Sequence, residues 1–134
     1  MAAASDKHTD KKTKNRLPKL NLNFLKEMSG GDSQFVIEIL EIFISDAPLT
    51  LKSINSELAH SDIESVKISV HKLKSSIKVL GVDALAELAQ QLENEAGKGK
   101  VSKDFKLKIT KLEKCIEALV KECSIQIKYL KNQK

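Results

Sequence analysis

Tryptophan is absent from this chain of 134 residues; tyrosine occurs once, proline and cysteine twice each, and glycine five times. Each shortage excludes something. Few aromatics and few prolines leave an aliphatic core and long helices as the natural reading, and nothing reads as a strand. No apolar run approaches the roughly 20 residues that cross a bilayer, and Met1-Ala2-Ala3-Ala4-Ser5-Asp6 lacks the apolar stretch of a secretory signal. Cys115 and Cys123 lie eight apart in one expected helix. That is more than two turns, too far for a mutual disulfide. Free thiols suit a reducing compartment, which points to the cytoplasm. The chain also lacks a glycine-rich phosphate loop, G-x-S-x-G and H-E-x-x-H. The paired Glu-x-x-His of di-iron bundles is missing too. No nucleotide-binding, hydrolytic or metal-binding signature is left.

What is present begins with charge. The net +5 is unevenly spread: residues 1–20 carry six basic and two acidic groups, and the other 114 residues carry 17 basic and 16 acidic groups. The segment 1–17 has no apolar period and reads as a disordered basic tail or a linker. A tail that grips nucleic-acid phosphates is the alternative. The near-neutral remainder, with hardly any aromatics, argues against a nucleic-acid-binding bundle. His8 in the tail and His60 in a turn read as ordinary exposed histidines.

Residues 18–134 read as one all-α domain. Leu20, Leu22, Phe24, Leu25 and Met28 suggest a short helix closed by Gly30-Gly31. Asp32 then caps a long helix through Phe35, Val36, Ile39, Leu40 and Phe43 to Leu51, Ile54 and Leu58, which Pro48 should bend or break near Asp46-Ala47. Ser61-x-x-Glu64 is a capping box for the next helix, and Gly81 closes it. Asp83 should cap a helix presenting Leu85, Leu88, Ala89, Leu92 and Ala96, ended by Gly97-Lys98-Gly99. Ser102 should cap the last, whose stripe is Phe105, Ile109, Leu112, Ile116, Leu119, Cys123, Ile127 and Leu130. Short connections make successive helices antiparallel, so the expected architecture is an up-down-up-down four-helix bundle with a short extra N-terminal helix. A single bundle suggests a monomer.

One residue stands out of this pattern. Ile63, Val66, Val70, Leu73, Ile77 and Leu80 step by three and four along one helix face, and His71 points about 130° away from that stripe. Lys67, four residues before it, and Lys74, three after, flank the same surface, and Lys78 extends the patch by a turn. A neutral imidazole near pH 7 is a competent nucleophile that can take up a phosphoryl group and release it again by in-line displacement. The ammonium groups could balance the added charge. On composition and geometry alone, a solvated surface histidine among lysines is the commoner reading.

The local sequence adds a resemblance. His71-Lys72-Leu73-Lys74-Ser75-Ser76 resembles the H-x-L-K-G-S/A motif of histidine-containing phosphotransfer (HPt) domains. The similarity extends to Gly81, ten residues after the histidine, and to Leu85, Leu88, Leu92 and Glu93 in the following helix. Upstream it includes Gly31-Asp32, Phe43-Ile44-Ser45-Asp46-Ala47-Pro48 and Asp62. It spans about residues 20–130. The resemblance implies a four-helix bundle that relays a phosphoryl group between receiver-domain aspartates in a two-component phosphorelay, with no kinase activity of its own. His71 would be the phosphorylated residue and Lys74 a phosphoryl-holding lysine. The partner would be the receiver domain of a response regulator or hybrid sensor histidine kinase. The chain itself would need no cofactor, and Mg²⁺ would sit on the receiver. A helical adaptor with this shape but no phosphotransfer is the alternative. Ser75 stands where the family usually has glycine. Its hydroxyl could meet the phosphoryl oxygens or bond back to its own helix. Ile68 and Lys72 are candidate docking residues, unless the short N-terminal helix covers Ile68 through Phe24 or Leu25.

Overall fold

The computed structural model describes residues 20–99 and 101–132; the expected tail 1–17, with His8, lies outside them. Five helices follow one another: α1 (Asn23–Met28), α2 (Ser33–Ala59), α3 (Ile63–Val79), α4 (Asp83–Gly97) and α5 (Lys103–Asn132). No strand occurs among the described residues. The four long helices form a ring in which α3 packs on α2 and α4, and α5 packs on α4 and α2. Contacts between α3 and α4 run from Lys67 opposite Gly97, through His71 with Glu93, to Lys74 with Gln90, so these two helices are antiparallel. Asn55 with Glu113 and Glu41 with Lys131 show the same for α2 and α5. Ser69 bonds Glu57 across the tight turn that folds α3 back on α2.

Most of the stripe residues read from the sequence are the core; Phe35, Ile39, Leu58, Ile63 and Leu88 pack against it partly buried, whereas Phe24 and Met28 are exposed. Val66, Val70, Leu73, Ile77 and Leu80 of the α3 segment are at most 1% exposed. All eight stripe residues of α5, from Phe105 to Leu130, are buried, as are Leu85, Ala89, Leu92 and Ala96 of α4. Cys115 and Cys123 are buried free thiols. Burial raises the Cys115 thiol, and pushes that of Cys123 up to about 12, so neither is poised as a nucleophile.

Helix ends differ from expectation at several points, each for a local reason. Ser61 does not cap α3. It sits at φ 58°, in the left-handed position that closes α2, with its N–H donating to the Leu58 carbonyl and that of Asp62 to Glu57. Asp62 becomes the cap, accepting from the Ser65 N–H at 3.2 Å and the Ser65 hydroxyl at 2.7 Å. Those bonds hold its carboxyl below the usual carboxylate range. Asp83 is the first residue of α4, where its charge favours the helix dipole, rather than the cap, which is Val82. The Ser102 N–H and hydroxyl both donate to Glu95 at 3.0 Å, tying the start of α5 to α4.

Pro48 does not break α2, which runs through it without interruption. Its ring is on the exposed side and Ala47 on the buried side. On that side the loss of a helical donor to the Ile44 carbonyl costs less than it would in the core.

Gly81 closes α3 at φ +76°. The strand of chain entering α1 lies against it: the Asn21 N–H donates to the Leu80 carbonyl at 3.0 Å. A Cβ at Gly81 would collide with the Asn21 backbone carbonyl and lie 2.8 Å from its Cβ. Only glycine satisfies both the left-handed backbone and this close approach. The crossing anchors α1 at the α4-proximal end of α3, where Leu25 enters the core fully buried.

Candidate functional site

The antiparallel register of α3 and α4 sets the site. His71 projects from the middle of α3 with its side chain 58% exposed. Its Nδ1 lies 2.9 Å from Glu93 Oε2 on α4. The other oxygen, Oε1, lies 2.9 Å from Lys74 Nζ. That contact is an ion pair whose angle falls short of a directed hydrogen bond. Lys74 donates instead to Gln90 Oε1 at 2.7 Å, and Gln90 donates to Asn94 at 2.8 Å. A chain of polar groups thus runs from Asn94 through Gln90, Lys74 and Glu93 to the imidazole.

The charge state of Glu93 determines which ring nitrogen faces it with a proton. Burial pushes its carboxyl up, but the close Lys74 ammonium and the hydrogen-bonded His71 ring together outweigh burial and hold it below the usual range. An ionised carboxylate only accepts, so Nδ1 carries the proton. In the neutral ring the lone pair is then on Nε2, the nitrogen turned away from Glu93.

The remaining predicted site residues are arranged around this pair. Lys74 is not an exposed flanking cation: its side chain is 11% exposed and points into the α3–α4 seam. It lies only about 75° from the centre of the apolar stripe, so its stem packs while its ammonium is captured by Glu93 and Gln90. Lys67 and Lys78 are exposed, and neither joins an ion pair among the described residues. Lys67 extends its stem toward Gly97. Lys78, two turns beyond His71, lines a cavity of about 400 Å³ with Asn21, Phe24, Val79, Gly81 and Asp83.

The Ser75 hydroxyl donates to the His71 carbonyl at 3.2 Å, the helix-internal arrangement. Ile68 is 61% exposed and is not covered by α1, whose Leu25 is buried in the core and whose Phe24 is itself 53% exposed. Ile68, His71, Lys72 and Ser75 form one open face of α3. A cavity of about 530 Å³ lies elsewhere, between α2 and α5 over Leu51, Ile116 and Val120.

Glu93 and Gln90 were missing from the sequence-derived site, although Glu93 belonged to the resemblance. A signal existed: α3 and α4 fold back about Val82, and His71 and Glu93 each stand eleven residues from it.

The described residues gather no group of three or more His, Cys, Asp or Glu able to hold a metal. None of their helices is long and apolar enough to cross a membrane. The family model described as the Hpt domain matches residues 38–122, which include the whole α3–α4 seam. The chain belongs to the Hpt domain family. The crystal structure of histidine-containing phosphotransfer protein B (HptB) from Pseudomonas aeruginosa PAO1 superposes with a TM-score of 0.76 at 18% identity, over 85% of this chain and 98% of that one. At that identity the likeness concerns the fold, a helical bundle shared by the two HPt chains. No curated protein matches the chain.

Proposed function

We propose that this HPt domain is a phosphorelay intermediate in which His71 Nε2 takes a phosphoryl group from a receiver-domain aspartyl phosphate and delivers it to another receiver aspartate. The observation that supports this most is the exposed imidazole whose Nδ1 faces the ionised Glu93 at 2.9 Å. The Nε2 lone pair attacks phosphorus as the P–O bond to the donor aspartate breaks, and that electron pair leaves on the donor carboxylate. The Nδ1 proton stays where it is. The product ring is therefore a phosphorylated imidazolium, and Glu93 sits beside the positive charge as it develops. Return transfer reverses the same step, again without moving a proton.

In this reading Lys74 holds Glu93, while exposed Lys67 and, more distantly, Lys78 are the cations free to meet phosphoryl oxygens. Ile68 and Lys72 belong to the docking face, and the helix-bonded Ser75 leaves room beside the ring. Mg²⁺ is the receiver's contribution. The chain acts as a monomeric carrier in the cytoplasm and has no kinase reaction of its own.

The test is incubation with phosphorylated receivers from the source organism. An acid-labile, base-stable label on the wild type and none on His71→Gln is the expected result. No transfer from any receiver would favour an adaptor role, and equal labelling of His71→Gln would show the wrong residue had been chosen.

A further inference from the structure

The helix diagonally opposite α3 carries a second charged surface that phosphotransfer does not use. Within Lys103–Asn132, α5 has eight lysines against four carboxylates, whereas Asp83–Gly97 of α4 has four carboxylates and no lysine. The outermost stripe of α5 reads Lys103, Leu107, Thr110, Lys114, Ala118, Lys121, Ile125 and Lys128. Its steps of three and four keep it on one face for roughly 37 Å. No carboxylate interrupts it. Glu113 turns to Asn55 of α2, Glu117 lines the groove against α2, and Asp104 and Glu122 fall by helical phase on the α4 side. Within the stripe Leu107 is 69% and Ile125 62% exposed, and the Thr110 hydroxyl is satisfied by the Lys106 carbonyl.

We propose that this stripe is a docking surface for an anionic lipid membrane, on which the protein adsorbs peripherally with His71 facing away. The alternation of lysine with isolated aliphatic side chains decides the partner. Lysine is depleted from protein–protein interfaces, and the single aliphatics make no contiguous patch that a protein would desolvate. A nucleic acid offers nothing to Leu107 and Ile125, and the stripe has neither arginine nor an aromatic ring for phosphate forks or base stacking. A lipid surface suits both: lysine stems lie along the interface with their ammonium groups at the headgroups, while leucine and isoleucine enter the acyl boundary. Each lysine near an anionic leaflet contributes roughly 1 kcal/mol. The acidic α4 flank is repelled by the same surface, so the charge asymmetry fixes one orientation. Because α3 and α5 occupy opposite corners of the ring, the transfer face stays open to receivers.

Flotation of the full chain with phosphatidylcholine vesicles, with and without phosphatidylglycerol, tests this at about 0.15 M salt, where screening is physiological. Binding only to the anionic vesicles is expected. Lys114→Glu with Lys121→Glu should lower the partition coefficient at least about tenfold, and Leu107→Ser with Ile125→Ser should lower it severalfold. Lys11→Glu with Lys12→Glu, in the basic N-terminal segment, should leave the stripe-dependent binding in place. All four stripe positions are exposed, so labelling of His71 by a phosphorylated receiver in solution should be unchanged, which excludes misfolding as the cause. Equal binding to both vesicle types overturns the proposal. So does wild-type binding by either stripe variant. Retention of a short DNA duplex as tightly as the anionic vesicles, with Leu107 and Ile125 immaterial, would identify a polyanion site instead.

Discussion

Replacing Glu93 by glutamine keeps the side chain's shape and removes one negative charge from between His71 and Lys74. Two consequences can be sized. Lys74, 11% exposed, keeps Gln90 as its acceptor but loses its counter-charge. Breaking a fully buried pair costs 3–5 kcal/mol; with an acceptor retained and some water access, the loss here should be about 1–2 kcal/mol. The second consequence is chemical. The glutamine carbonyl can still accept from Nδ1, so the tautomer survives, but a charge-assisted hydrogen bond becomes a neutral one. That difference is about 1–1.5 kcal/mol, felt most where the ring becomes positive, and corresponds to roughly a tenfold smaller rate and equilibrium for phosphohistidine formation. Glu93→Ala also removes the acceptor and should cost on the order of a hundredfold. Rapid-quench measurement of transfer from a phosphorylated receiver, with a urea melt alongside, reads both effects. The order wild type, Gln, Ala is the expectation. If both variants were folded and transferred at the wild-type rate, the assignment of Glu93 as the residue that positions and offsets the ring would be refuted.

The same carboxylate predicts a pH dependence of stability. Its folded-state pKa is depressed, so the stability it confers is complete above the ordinary glutamate range and is lost as pH falls through the folded value. The wild type should lose stability over this acid window more steeply than Glu93→Gln does, as read from urea melts at stepped pH. Gly81→Ala should cost about 2 kcal/mol or more in equilibrium unfolding, because it combines a left-handed backbone with a collision against the Asn21 carbonyl. Ser61→Gly, at φ 58°, should stabilise the protein by about 0.5–1 kcal/mol, measurable as a rise of a few degrees in Tm. Ile68→Ala should leave the Tm unchanged, because Ile68 is 61% exposed. It should raise the receiver concentration needed for half-maximal transfer several-fold, while the saturating rate persists.

The helices were legible because burial follows the three-four spacing wherever a segment has no competing interaction. Every apolar residue of the expected α5 stripe is buried, and Asp32 caps α2 through Gln34 and Phe35 as expected. Boundaries moved where two adjacent residues could serve one end, as when Ser61 closed α2 and left Asp62 to open α3. Pro48 did not break α2 because the cost of a helical proline depends on the face it occupies, and its ring is on the exposed face. The exposed histidine was visible from helical phase alone. The rest of the site was not, because it rests on pairing between helices. Lys74 reads as a surface lysine until α4 is placed beside it, and Glu93 reads as a surface carboxylate until the fold about Val82 sets it opposite His71. The hydroxyl of Ser75 could be assigned only when its bond to the His71 carbonyl was seen.

The central claim is that Glu93 keeps the proton on Nδ1 so that Nε2 carries the phosphoryl group. Phosphorus–nitrogen correlation spectroscopy on the receiver-phosphorylated protein, with its histidine rings labelled with nitrogen-15, tests it directly. The account predicts coupling of phosphorus to the His71 Nε2, with a protonated Nδ1 on the same ring. Coupling to Nδ1, or phosphorus on any residue other than His71, would contradict it.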